Sequence, residues 1–79
     1  MPKIETIGAW LFHFYSAEED RPHVHIRNKA GKSAEIWLEP DIVVAANYGV
    51  RAIDLRKLVR IVEKNKTKYL EAWHEHFDS

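Results

Sequence analysis

A chain of 79 residues in which 12 Lys/Arg balance 12 Asp/Glu has room for one core, and its zero net charge removes the simplest electrostatic argument for nucleic-acid binding. The absence of cysteine excludes disulfides and thiolate metal sites, and the longest apolar run, Ile42 to Ala46, is far too short to span a membrane. With an N-terminus that lacks the layout of a signal peptide, these features predict a cytoplasmic protein.

Residues 9–15, AWLFHFY, alternate and are rich in aromatics, predicting a first strand. Trp10, Phe12 and Phe14 share one face, while Leu11, His13 and Tyr15 share the other. An acidic turn, SAEEDRP, leads to a second strand over 23–28, HVHIR and its following residue. NKAGK reads as a hairpin loop in which Gly31 can take the left-handed conformation. A third strand over 33–39 places Ala34, Ile36 and Leu38 on one side, Pro40 stops it, and 42–47 reads as a short fourth strand.

From Arg51 the period changes from two to 3.6, predicting a helix over 52–77. Its apolar stripe is Leu55, Leu58, Val59, Val62, Tyr69, Trp73 and Phe77, and its basic stripe is Arg56, Lys57, Arg60, Lys64 and Lys68. Such a helix would be about 39 Å long against strands of about 20 Å. It must overhang the sheet, kink or split, and a break is expected near 65–67, where Asn65 is a weak helix former and Lys66 interrupts the stripe. In an overhang, Tyr69, Trp73 and Phe77 form an apolar surface that needs a partner, either a second copy of the chain or another small protein. The expected architecture is a single α+β domain over 1–79, a three- or four-stranded antiparallel meander packed on one face by a long C-terminal helix.

Strand two sends His23, His25 and Arg27 to one face and Val24 and Ile26 to the other. Pairing strands two and three around NKAGK sets His25 opposite Glu35, Arg27 opposite Ser33 and His23 opposite Trp37. This register gathers Val24, Ile26, Ala34, Ile36 and Leu38 under the helix, and a one-residue slip would scramble both faces. His13, His23, His25, Arg27 and Glu35 then form a cluster framed by Tyr15 and Trp37. It suits two chemistries. His13, His23, His25 and Glu35 are candidate ligands for a divalent metal, zinc or iron, with an open position. Alternatively, His23, His25, Arg27 and Glu35 are candidate catalytic groups for acid–base attack on a phosphodiester. The plainer expectation is a solvated or partner-binding sheet face, on which His opposite Glu is an ordinary pair. His74 and His76 sit about 200° apart on a helix and cannot chelate together. The basic stripe is a candidate phosphate track, though solvated helix faces often look the same.

The aromatic strand, Pro-His-x-His, the hairpin, Ala-Glu-Ile-Trp-Leu, Ala-Asn-Tyr-Gly and the terminal Leu-Glu-Ala-Trp-His-Glu-His-Phe together resemble the family called domain of unknown function 4160. The matching motif positions are Pro22, His23, His25, Glu35, Trp37, Asn47, Gly49, Trp73 and His74. Arg21 stands where relatives usually carry a first proline, and Arg51–Ala52 replaces a Ser-type helix cap. The resemblance implies a small bacterial protein often encoded beside a member of domain of unknown function 2442, in pairs that look like toxin–antitoxin modules. It implies no catalytic role for any residue. The expected function is therefore protein–protein interaction within such a pair, as a homodimer or with the adjacent gene's product. The alternative is a metal- or histidine-dependent hydrolase of the phosphodiesterase or nuclease type that uses the His-x-His face.

Overall fold

The computed structural model describes residues 3–14 and 21–77. Five strands form among the described residues: β1 (Lys3–Ile7), β2 (Trp10–His13), β3 (His23–Arg27), β4 (Ser33–Trp37) and β5 (Val43–Tyr48). They pair antiparallel in simple chain order as one open sheet. Two helices follow, α1 (Ala52–Lys64) and α2 (Lys66–Phe77). The architecture is α+β, with one strand more and one helix more than expected. The extra strand is β1, KIETI, whose Lys3, Glu5 and Thr6 leave no clear apolar alternation and whose order comes from pairing with β2. Tyr15 lies outside the described residues.

The β3–β4 register sets His23 opposite Trp37, His25 opposite Glu35 and Arg27 opposite Ser33, as the face argument requires. Val24, Ile26, Ala34 and Ile36 are consequently buried on the opposite face with Phe12, Phe14, Leu58 and Val62. Trp10, on the same face of β2 as Phe12, is only half-buried and packs at the margin of the core. The hairpin loop is tied by Asn28, whose side-chain oxygen accepts the amides of Ala30 and Lys32, both at 3.0 Å. Near the end of β5, the Asn47 side chain accepts from the Val50 amide at 2.8 Å and donates to its carbonyl at 3.0 Å. Gly49 has φ +89°, and a Cβ there would lie 2.9 Å from the Lys32 side chain. The Ala-Asn-Tyr-Gly turn thus drives Val50 into the core and starts α1. No side chain caps that helix at Arg51; Asp54 supplies an acid in its first turn instead.

The single long helix is replaced by two because Asn65 stops the first. Its φ of −110° leaves the helical region, and its side-chain amide donates to the Ile61 carbonyl at 2.8 Å. Its own carbonyl accepts the Tyr69 amide at 2.9 Å and so begins α2. The longest dimension of the molecule is 35 Å, shorter than the straight helix would be. The break turns α2 back over the sheet, where Tyr69 packs on Phe12 and Trp73 meets Phe14 edge-on, with centroids 5.8 and 5.2 Å apart. Tyr69 and Trp73 are buried and Phe77 is half-buried against Trp73. The expected apolar overhang is absent, because these aromatics are spent within the chain rather than left for a partner.

Glu5 of β1 fastens this arrangement. One carboxylate oxygen accepts from Lys68 Nζ at 2.8 Å and the other from the Tyr69 hydroxyl at 2.7 Å. The Lys68 and Tyr69 hydrogen bonds hold the Glu5 carboxyl below its ordinary value of 4.5. Burial, and then the bond to Glu5, push the Tyr69 hydroxyl above its usual range. A depressed carboxyl stabilises the fold above its unfolded-state value and loses that contribution as pH falls through the folded one. Glu5→Gln should therefore cost about 1–2 kcal/mol in urea unfolding near neutral pH, and the deficit should shrink as pH falls below 4.5. Leu58→Ala, at a fully buried α1 position, should cost about 2–4 kcal/mol. An unchanged melting temperature would mean that α1 packs by another face.

Candidate functional site

His23 and His25 share one face of β3 because they are two residues apart. β2 adds His13 directly opposite His25, and β4 adds Glu35 on the other side. The expectation of a wet sheet face is corrected here: His13 and His23 are 1% and 4% exposed. The ring of His23 lies between two indoles, 5.1 Å from Trp37 and 5.3 Å from Trp73. Trp73 reaches it only because α2 turns back at Asn65. His13 stacks on His25 with centroids 5.6 Å apart.

His23 is held at both ring nitrogens and His25 at its Nε2. His23 Nδ1 donates to the Arg21 carbonyl at 2.9 Å, since a carbonyl can only accept. Its Nε2 meets Nε2 of His25 at 3.1 Å. With the His23 proton on Nδ1, the neutral ring offers its Nε2 lone pair and His25 donates into it. Nδ1 of His25 faces a carboxylate oxygen of Glu35 at 3.9 Å. Arg21 is locked in turn, for its Nε donates to the Glu39 carbonyl at 2.7 Å and its guanidinium covers Trp37 at 4.1 Å. The departure from the family's usual proline is thus a clamp over the site.

One ligand atom each from His23, His25 and Glu35 can be chosen so that all lie within 4.8 Å of one another. Among the described residues this set excludes His13, which supports the cluster by stacking and offers no converging ligand atom. Arg27 sits exposed, two residues beyond His25 on the same face. The aromatic candidates Tyr69, Trp73 and Phe77 belong to the core and its margin, with Trp73 doubling as a wall of the His23 pocket. The basic stripe does not survive as one surface. Arg56, Lys57, Arg60 and Lys64 stay exposed on α1, whereas Lys68 lies on α2 and is engaged by Glu5. His74 lies 3.8 Å from Glu39. The roles of Arg21 and Trp73 at the site escaped the sequence reading; their only signal was the nearness of Arg21 to Pro-His-x-His and the place of Trp73 among the motif positions.

The family model described as a domain of unknown function (DUF4160) matches residues 9–74, and the chain belongs to that family. Comparison with curated proteins and with solved structures returned no match. No helix among the described residues is long and apolar enough to cross a membrane.

The hydrogen-bond pattern fixes a tautomer that can be observed directly. Long-range nitrogen–proton correlation spectra should show His23 protonated at Nδ1. A spectrum with His23 protonated at Nε2 alone would contradict the bond to Arg21.

Proposed function

We propose that this member of the family is a small cytoplasmic metal-dependent hydrolase of phosphodiesters, with His23 and His25 as metal ligands. The observation that carries the reading is the pair of Nε2 atoms 3.1 Å apart on one strand face. Two ligands of a tetrahedral zinc ion, each about 2.0–2.1 Å from it, stand about 3.3 Å apart. The outer nitrogens support the same reading. Imidazoles that bind metals usually give their second N–H to a carbonyl or carboxylate, and these two face the Arg21 carbonyl and Glu35. With Nε2 of His25 given to a metal its proton sits on Nδ1, and Glu35, 3.9 Å away, is the carboxylate placed to orient that ligand.

Imidazole donors beside a carboxylate suit zinc or iron(II). A metal so held supplies Lewis acidity and an activated water. Arg27, about 7 Å along the strand from His25, supplies positive charge for the oxygens of a phosphoryl group. The walls of Trp37 and Trp73 keep His23 out of bulk solvent, where charge interactions are stronger than in water.

A second reading, protein contact within a toxin–antitoxin-like pair, is favoured by β5. This edge strand, VVAANY, carries no charge and leaves Val43 and Tyr48 50% and 59% exposed. Unprotected edges of this kind invite a partner strand. Co-expression with the adjacent gene, together with light scattering, tests it. A complex or dimer dispersed by Val43→Lys would support contact through β5, and a monomer that captures no neighbour would count against it.

For the hydrolase, protein purified without an affinity tag should carry stoichiometric zinc or iron by elemental analysis. His25→Ala should lose the metal and the hydrolysis of bis(p-nitrophenyl) phosphate while still unfolding cooperatively. Glu35→Gln should weaken metal affinity by about 10–100-fold. Wild-type protein that binds neither metal and hydrolyses nothing when supplied with them would overturn the proposal.

A further inference from the structure

The face that carries the histidines continues toward the hairpin end of the sheet. There the β1–β2 turn and the β3–β4 loop stand on either side of a cleft of about 850 Å³. Its lining holds three cations, Lys3, Arg27 and Lys29, together with Thr6, Asn28 and Leu11. Among the described residues, no acid lines it. In a chain whose charges sum to zero, three cations around one concavity, with no carboxylate among its described lining residues, make a local positive field. All three are exposed, and among the described residues none of them is ion-paired.

The register ties this cleft to the histidines. Lys3 is the cross-strand partner of His13, and Arg27 follows His25 on the same face of β3. Thr6 and Leu11 are also paired, so their side chains share that face. A chain of linked anions lying in the cleft would therefore run directly up to His25. The volume far exceeds that of one phosphate, and its cations are spread over two hairpins.

We infer that the cleft between the two hairpins, through Lys3, Arg27 and Lys29, binds the phosphates that flank the scissile group of a single-stranded nucleic acid. The inference rests on the hydrolase reading for the scissile group and shares Arg27 with it, but Lys3 and Lys29 extend it into a surface that binds without the metal. Among the described residues the cleft has no aromatic side chain in its lining, so recognition is of the backbone and is indifferent to base. It also relocates the basic surface: the cations that matter are these three, and the α1 stripe of Arg56, Lys57, Arg60 and Lys64 is a solvated helix face.

The test uses the full chain in chelator and a short fluorescein-labelled single-stranded oligonucleotide followed by anisotropy. Wild-type affinity should fall with salt at a log–log slope of about −2, the value for three contacts to a single strand. Lys3→Ala/Arg27→Ala/Lys29→Ala should weaken binding at least tenfold and flatten the slope. Should that variant fail to unfold cooperatively, Lys3→Ala/Lys29→Ala, which leaves β3 intact, should still lower the slope by more than half. Arg56→Ala/Arg60→Ala should change neither quantity, and inorganic phosphate should compete only weakly. A slope near zero, a loss that follows the α1 variant, or equal competition by inorganic phosphate would overturn the inference. His25→Ala separates the two proposals. Oligonucleotide binding that persists in His25→Ala, in a protein found never to bind metal, sinks the hydrolase and leaves the cleft standing. Normal metal content without salt-dependent binding does the reverse.

Discussion

Everything in this fold depends on one register, that of β3 against β4. A strand has only two faces, so a single pairing decides simultaneously which side chains enter the core and which meet on the other side. Val24 opposite Ile36 makes the first outcome and His25 opposite Glu35 the second. The loop enforces the choice, because Asn28 bonds the amides of both Ala30 and Lys32 and Gly31 supplies the positive φ. A slip of one residue would put imidazoles under the helices and isoleucines beside Glu35. Core and site are therefore two consequences of one constraint.

The second constraint is the stop at Asn65. A continuous helix would have carried Tyr69 and Trp73 past the end of the sheet. The stop returns them, closes the core over Phe12 and Phe14, and brings an indole against His23. Glu5 then bonds two consecutive residues of the returned helix from the opposite end of the chain. A 79-residue domain has little core to spare, and this arrangement recovers apolar area that would otherwise need a partner.

What could be read in the sequence follows from these causes. The β3–β4 hairpin was legible because two alternating strands flank a glycine-containing loop and only one pairing segregates both faces. The clustering of His23, His25 and Glu35 followed from it. β1 was not legible, since five residues with Lys3, Glu5 and Thr6 among them carry no strand signal until β2 is there to pair with. The burial of His13 and His23 was hidden for a different reason. Alternation places a residue on a face but is silent about what lies against that face, and Trp73 comes from fifty residues away in sequence. The kink at 65–67 was foreseeable from helix length, yet its effect on the aromatics depended on the direction of the turn, which periodicity does not encode. Arg21, read as a lost proline, turned out to hold the carbonyl that orients His23.

The position of His23 between Trp37 and Trp73 has an optical consequence. The chain contains only three tryptophans, and two of them touch the same imidazole from different elements, one from the sheet and one from the last helix. Indole emission is sensitive to the charge and polarity of what it touches, so the fluorescence of this protein reports chiefly on one ring. Any event that reaches His23, whether an ion arriving at its Nε2 or the last helix lifting from the sheet, changes the colour or yield of light from the unlabelled molecule. The protein carries its own gauge of the site.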